Sequence, residues 1–337
     1  MHHKHRPLRI TAPLLPLEIQ ALVISFVANG HDLDWPPQSR IYTPMIRDTL
    51  RALCMVSKFF ESVAIRYLYS RVHISYPEQL AAFRRAIAYF GRPTALARYV
   101  RTLSISCTTH IASYQFAQDL VTVLHVVYPN IERLLLDVRR RHSFRKSSSS
   151  GGHDMGILSG GDTKLVTAIA IFNTPWPNLT EVSISEGLDQ YLRMTQLPLA
   201  FHNVRKLALG YTTITTNIIH RLIQMPSLEE LILVNSSIRW SDFERTVPAE
   251  PIATLMTSSS NLHRLVWVIT SRPQWDLDDD WNEQMMFRDA ELLCNVPGVE
   301  VIYGPGDNFC DDILPDGLMG PRFLGENAKS GALWELD

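Results

Sequence analysis

The 337-residue sequence predicts an α/β protein in which an N-terminal helical segment precedes an irregular α/β solenoid with a parallel sheet. Two apolar runs at helical spacing lie within residues 14–75. Further along the chain, a short pattern of the form apolar-x-x-apolar-x-apolar recurs, and helix-like runs separate its copies. Strands that alternate with helices are typical of a parallel sheet that carries its helices on the outer side.

The N-terminal runs carry more apolar surface than a segment of their length can bury. Pro16 suits the first turn of a helix, where a missing N–H costs nothing, and the helix that follows is apolar on two faces. A segment of some sixty residues buries only about 60% of its unfolded surface. We therefore expect part of it to pack on another polypeptide, and the alternative is the downstream part of the same chain. The first helix carries Ile19, Leu22, Val23 and Phe26 on one face and Leu17, Ala21 and Ile24 on the other, and the second run, from Leu50 to about Leu68, carries Leu53, Val56, Phe60 and Val63.

A proline-containing stretch separates the two helical runs. It extends from Asn29 to Asp48 and holds Pro36, Pro37 and Pro44. Because proline breaks a helix interior, we predict a loop here.

Composition and charge exclude several classes of function. A net charge of −2 gives no reason to expect binding to nucleic acid or to an anionic membrane. No run approaches the roughly 18 apolar residues that span a bilayer, and the first residues lack the apolar core of a secretory signal. The four cysteines form no metal-binding or disulfide pattern, so we expect reduced thiols in a cytoplasmic or nuclear protein. The cysteines are Cys54, Cys107, Cys294 and Cys310.

The order of features at the N-terminus resembles the F-box, and in particular the F-box proteins of fungi. The features are LPLEI, an apolar helix, LRALCMVSKFF and the aromatic-rich IRYLYSRVHI. The resemblance implies a helical module, residues 13–75 with an insert at 29–48, that binds a Skp-type adaptor and so recruits its chain to a cullin–RING ubiquitin ligase. Residues 1–12 would be a flexible N-terminus. Carried over by position, the adaptor-binding candidates are Pro16, Leu17, Ile19, Leu22, Leu53, Val56 and Ser57.

Six copies of the apolar pattern, and a degenerate seventh, follow from residue 100 onward. Short segments such as YPN, WPN and MPS precede most copies, which suits a turn that enters a strand. A hydroxyl stands eight places after the anchor in several copies, at Thr108, Thr212, Ser236 and Thr270. The whole resembles the leucine-rich repeat, with Thr or Ser where that family usually has Asn. The copies are VRTLSI from Val100, IERLLL from Ile131, LTEVSI from Leu179, VRKLAL from Val204, LEELIL from Leu228, LHRLVW from Leu262 and VEVIYG from Val299.

Helices are predicted between these copies, over Ser113–Val127, Thr163–Phe172, Thr216–Met225 and Asn282–Cys294. The repeat region is assigned to residues 76–316. Its Arg- and Ser-rich stretch at about 139–162 is predicted to be a flexible insert without a role, and its alternative is a nuclear import signal with phosphorylation sites. The acidic WDLDDDW, at 275–281, is interpreted as a solvated loop and not a calcium site, and residues 317–337 as a tail that packs weakly or hangs free.

No motif indicates an enzyme, a cofactor or a metal site. The sequence lacks G-x-S-x-G, H-E-x-x-H and a P-loop, and its histidines are dispersed. His2, His3 and His5 are interpreted as a polar chain end and not as metal ligands.

If the repeats stack, the residues between the apolar anchors face the open surface of the sheet, where such solenoids commonly bind. We predict a substrate surface there, with one column of alternating charge and a second that is partly apolar. The interpretation is a non-enzymatic receptor that joins a protein substrate to a ligase; the alternatives are a repeat scaffold with no ligase role and an unrecognised hydrolase. The first column holds Thr102, Arg133, Glu181, Lys206, Glu230 and Arg264, and the second Ser104, Leu135, Ser183, Ala208, Ile232 and Val266.

Overall fold

The computed structural model describes residues 16–29, 41–89, 92–109, 114–140, 174–184, 200–210, 212–238, 249–269, 292–303, 327–329 and 332–335. Within these ranges the protein is a mixed α/β structure with a parallel sheet, as the sequence predicts. Most of the predicted insert at 29–48, nearly all of that at 139–162 and the whole acidic stretch at 275–281 lie outside the described residues.

Three helices open the described chain: α1 (Leu17–Asn29), α2 (Pro44–Val56) and α3 (Lys58–Ser70). The single run predicted from Leu50 to Leu68 is therefore wrong. Ser57 is extended, with φ −161° and ψ 164°, and its hydroxyl accepts a hydrogen bond from the Phe60 N–H at 3.3 Å. A capping serine ends one helix and begins the next because its side chain replaces a missing intrahelical partner.

The predicted loop also ends earlier than expected, because Pro44 starts α2 and does not interrupt it. Proline is well tolerated at the first helical positions. The preceding Thr43 caps the helix, with its Oγ1 accepting from the Ile46 N–H at 3.2 Å. Residues 44–48 of the predicted insert are thus helical.

The three helices enclose a small core of their own. Ile24, Ala28, Leu50 and Ala64 are almost fully buried. Each helix contributes to this cluster, so the helices stabilise one another by burying aliphatic side chains. Partly buried neighbours complete it, namely Val27, Tyr42, Ile46, Leu53, Cys54, Phe60, Val63, Tyr67 and Leu68.

The sheet contains eight described strands, and neighbouring strands in the sheet are also successive in the chain, apart from short strands outside this sheet. All of its strand pairs are parallel. Each of the seven repeated segments forms one strand, which confirms the predicted parallel sheet. The strands are β1 (Arg71–Ile74), β4 (Thr102–Thr109), β5 (Arg133–Arg140), β6 (Glu181–Ile184), β7 (Lys206–Gly210), β9 (Glu230–Val234), β11 (Arg264–Ile269) and β12 (Val299–Tyr303).

Two boundaries differ from the sequence-based expectation. Strand β1 lies within the range 13–75 assigned to the helical module, yet it pairs with β4 in the register Arg71 with Thr102. Strand β5 continues through Arg139 and Arg140, which pair with Thr108 and Thr109. These two arginines therefore belong to the sheet and not to the predicted insert.

Helices cover one face of the sheet. They are α4 (Pro77–Ile87), α5 (Tyr114–Val127), α6 (Thr216–Ile223) and α7 (Ala249–Ser258). Helices α5 and α6 follow the predicted ranges, whereas α4 and α7 were missed. The other two predicted helices fall largely outside the described residues. The main core lies between helices and sheet, and its fully buried members include Leu80, Leu103, Val123, Leu222 and Leu231.

Two short strands, β8 (Thr213–Ile214) and β10 (Ser237–Ile238), pair in parallel beyond the ends of β7 and β9. The predicted hydroxyls precede them. Thr212 Oγ1 donates to the Gly210 carbonyl and Ser236 Oγ to the Val234 carbonyl, both at 3.3 Å, and Ser236 Oγ accepts from the Thr212 N–H at 3.4 Å. These two hydroxyls thus bond to loop backbone, while Thr270 lies outside the described residues. The remaining short strands, β2 (Ala88–Tyr89) and β3 (Arg92–Pro93), form an antiparallel pair.

The recurrent Pro and Asn before the strands form a ladder between successive units. Asn178 Nδ2 donates to the Pro129 carbonyl at 2.6 Å, and Asn203 Nδ2 donates to the Pro177 carbonyl at the same distance. Asn261 makes the equivalent bond to the Pro226 carbonyl. Each amide thus joins the turn before its own strand to the turn before the preceding strand. This is the physical reason why Pro and Asn recur before the strands.

Candidate functional site

Helices α1 and α2 expose large apolar side chains. Phe26 is 77% exposed and Met55 is 87% exposed. Soluble proteins leave single apolar residues on the surface routinely, whereas contiguous apolar patches are typical of interaction sites. Met45, near the start of α2, is exposed as well. We call the exposed apolar residues of α1 and of the end of α2 the N-terminal apolar surface; they are Leu17, Ile19, Leu22, Val23, Phe26, Met55 and Val56.

Most of the predicted adaptor-binding residues are accessible. Pro16, Leu17, Ile19 and Leu22 are exposed on or beside α1, and Val56 and Ser57 are exposed where α2 meets α3. Leu53 differs, because its side chain packs against the core of the three helices. Leu53 therefore has a structural role that weakens it as a binding candidate. Val23, Phe26 and Met55 were not among the candidates, although the apolar character of both faces of α1 was the signal for the first two.

The column of alternating charge forms a ladder of ion pairs across the strands. Arg133 Nε lies 3.5 Å from Glu181 Oε2. Lys206 Nζ lies 2.9 Å from Glu230 Oε1, Glu230 Oε2 lies 3.9 Å from Arg264 Nη1, and Arg264 Nη2 lies 3.0 Å from Glu300 Oε2. Parallel register brings residues of opposite sign side by side, so these groups neutralise one another within the sheet. They form the rim of the open face, and their charge is largely satisfied before any partner arrives.

The second predicted column is buried, which corrects its assignment as a free surface. Leu135, Ile232 and Val266 are at most 4% exposed. They belong to a cluster separate from the main core, so they lie on the face of the sheet opposite the helices. The cluster also contains Ala208, Val234, Val268, Ala328, Leu333 and Trp334, with Ile302 partly buried against it.

Among the described residues, the cover over this cluster comes from the C-terminal segment, which was predicted to pack weakly or hang free. Residues 327–329 are helical, and Ala332–Glu335 form one 3-10 turn. Leu333 is fully buried and Trp334 is 6% exposed. The backbone carbonyl of Trp334 accepts a hydrogen bond from Arg264 Nη1 at 3.3 Å, and Lys206 Nζ lies 5.5 Å from the centre of the indole ring. The expectation of a free tail is wrong for these residues.

The other half of the open face is polar. His73 Nδ1 lies 3.0 Å from Ser104 Oγ, its Nε2 lies 2.9 Å from Ser75 Oγ, and Ser106 Oγ donates to Asp137 Oδ2 at 3.0 Å. A hydroxyl beside an imidazole is one part of a hydrolase site. Orientation by the neutral hydroxyl of Ser104 supplies no negative charge to stabilise an imidazolium, so this contact alone does not support catalysis.

Burial controls the chemistry of Cys54, Cys107 and one tyrosine. Burial, with the nearby charge of Asp137, raises the pKa of Cys107 to about 12. Burial also raises the pKa of Cys54, with a contribution from Glu61. Both thiols are therefore poor nucleophiles at neutral pH. Burial likewise raises the pKa of Tyr42, whose hydroxyl lies 3.0 Å from Ser70 Oγ at the junction of α3 and β1.

Comparison with known proteins leaves the family open. No protein-family model matches the chain, and no curated protein matches it significantly. Among the described residues, no group of three or more His, Cys, Asp or Glu side chains is arranged to hold a metal ion. Within the same ranges, no helix has both the length and the apolar character needed to cross a membrane.

Proposed function

We propose that this protein is the substrate receptor of a Skp–cullin–F-box type ubiquitin ligase, active in the cytoplasm or nucleus. Helices α1 to α3 would bind the Skp-type adaptor, and the sheet with its helices, a leucine-rich-repeat-like solenoid, would bind a protein substrate. The chain itself would perform no chemistry; it would raise the concentration of the substrate beside the catalytic subunits.

The observation that supports this proposal best is the N-terminal apolar surface. The three helices bury Ile24, Leu50 and Ala64 among themselves and yet leave Leu17, Leu22, Phe26 and Val56 more than half exposed. Complete burial of one leucine side chain contributes about 1.5–3 kcal/mol. A monomer gains nothing from exposing such a group, whereas an apolar partner surface would gain from covering it.

Calorimetry with a purified Skp-type adaptor tests the proposal. We expect Leu22→Asp and Val56→Asp each to weaken binding at least about tenfold, because about 1.4 kcal/mol corresponds to that factor and each change removes an apolar contact and adds a charge. Both side chains are exposed, so the fold of the variants should persist.

Tyr76→Asp is the matched control. Tyr76 is 62% exposed and lies at the N-cap of α4, outside α1 and α2, and its side chain makes no capping hydrogen bond there. Aspartate is a favourable N-cap residue, so this change removes exposed apolar surface without harming the helix. If the folded native chain fails to bind the adaptor, the repeat scaffold with no ligase role is the better description. If Leu22→Asp, Val56→Asp and Tyr76→Asp all bind the adaptor like the native chain, another surface contacts the adaptor.

A further inference from the structure

The apolar half of the open face, beneath the C-terminal segment, has the features of an occupied binding groove. Its floor consists of side chains from β7, β9 and β11, namely Ala208, Ile232, Val234, Val266 and Val268. Its rim consists of Lys206, Glu230 and Arg264 from the ion-pair ladder. Such a floor with a polar rim matches the anatomy of a protein–protein interface.

The C-terminal turn, Ala332–Glu335, occupies this groove and is held there by three kinds of contact. The side chains of Leu333 and Trp334 bury apolar surface on the floor. The rim contributes a cation over the indole ring, from Lys206, and a hydrogen bond from Arg264 to the Trp334 carbonyl. A cation over an aromatic face and a large aromatic anchor are both frequent at sites of strong binding energy.

One feature of this contact is unfavourable. The indole N–H of Trp334 is buried and has no hydrogen-bond partner among the described residues. Leaving a buried donor unpaired costs about 1–3 kcal/mol. A phenylalanine ring would cover the same floor without this cost, so the segment of the chain itself is an imperfect ligand for the groove.

We propose that this groove is the substrate-binding site, that it recognises a protein segment presenting a phenylalanine or tryptophan beside an aliphatic residue, and that Ala332–Glu335 acts as a built-in competitor. This inference rests on the proposed receptor function, because only a receptor has a substrate. Peptide binding to the groove and its competition with Ala332–Glu335 can nevertheless be tested without any adaptor. A substrate segment binds by displacing the C-terminal turn, with its ring under Lys206 and its backbone carbonyl accepting from Arg264. An intramolecular competitor acts at an effective concentration of about millimolar, so it sets a high threshold for binding.

The test uses the full-length chain and a fluorescent peptide with its own C-terminal sequence, ENAKSGALWELD. We expect the Trp334→Ala chain to bind this peptide at least about tenfold more tightly than the native chain, because its own competitor is weakened. The same peptide with Trp replaced by Phe should bind more tightly still, and with Trp replaced by Ala it should not bind. Equal binding of the peptide to the native and Trp334→Ala chains would overturn the proposal.

Hydrogen exchange on the native chain covers the case in which Trp334→Ala impairs folding. We expect excess peptide to accelerate exchange at residues 332–335 while β9 stays protected. If exchange in this turn is as slow as in β9 and the peptide does not change it, the turn is a fixed part of the core and the proposal is wrong. If the chain binds the peptide but not the adaptor, the proposed ligase role is wrong and the proposed groove stands. If it binds the adaptor but not the peptide, the proposed groove is wrong and the ligase role stands.

Discussion

Glutamate 230 provides the sharpest test of whether the alternating charges on the open face hold the sheet together. Its carboxylate lies between Lys206 Nζ, at 2.9 Å, and Arg264 Nη1, at 3.9 Å, and its side chain is 16% exposed. Arg264 has a second partner in Glu300, whereas Lys206 forms an ion pair only with Glu230 among the described residues. We predict that Glu230→Gln, which keeps the shape and removes the charge, lowers the free energy of unfolding by about 2 kcal/mol.

The magnitude follows from burial. Removing one partner of a fully buried ion pair costs about 3–5 kcal/mol, while an exposed pair contributes about 0–1 kcal/mol. The Lys206 side chain is 34% exposed and that of Glu230 is 16% exposed, so the pair lies between these limits. The matched control is Glu300→Gln, because Glu300 is 49% exposed and shares Arg264 with Glu230. We expect this control to cost less than about 1 kcal/mol.

Urea denaturation at about 0.1 M and 1 M salt measures both effects. At 1 M the Debye length falls to about 3 Å, which screens exposed pairs more than partly buried ones. We therefore expect the cost of Glu230→Gln to persist in high salt and that of Glu300→Gln to disappear. A cost for Glu230→Gln no larger than that for Glu300→Gln would refute the assignment of this column to structure, and would restore these charges as groups available to a partner.

Two further predictions concern the backbone and the buried thiol. Gly298 has φ +80°, and a Cβ there would lie 2.8 Å from Met256 Cε. Because an L residue in this region costs about 1–2 kcal/mol, we expect Gly298→Ala to lower the free energy of unfolding by about 2 kcal/mol. A loss below about 0.5 kcal/mol in urea denaturation would contradict this prediction. The pKa of Cys107 is raised from 9.0 to about 12 in the folded chain, so the stability from its neutral thiol is complete below pH 9 and is lost as the pH rises towards 12. Between these values we expect stability to fall more steeply than in Cys107→Ala, by up to about 1.4 kcal/mol per pH unit, and parallel pH profiles of the two chains would show that the thiol does not titrate in this way.

The strands of the sheet could be predicted because their signal is local. Leucines and isoleucines at fixed positions of each copy point towards the helices, and the Pro–Asn turn before each copy marks where the strand begins. Strand β1 lacks that turn and follows α3 directly, so its sequence, RVHI, was indistinguishable from the end of a helical run.

The open face could be predicted only in part, because its state depends on contacts between distant residues. Alternating charge along successive strands indicates that the column is polar, but only the register shows that Lys206 and Glu230 pair with each other. Ile232 and Val266 share their buried cluster with Leu333 and Trp334, which lie beyond the repeat region in the chain. A turn of four residues is too short to show a period, so no local pattern could have indicated that it packs on the sheet.

Helix α3 ends at Ser70 and strand β1 begins at Arg71, with no intervening residue. Tyr42 reinforces this joint, because its hydroxyl bonds to Ser70 and its ring lies 5.0 Å from the guanidinium of Arg71. Without a flexible linker at this junction, the angle between α3 and β1 cannot change. Under the proposed function, a captured substrate would be presented to the ligase at one fixed distance and direction, and the choice of modified lysine would depend on the reach of the substrate and of the ligase arm.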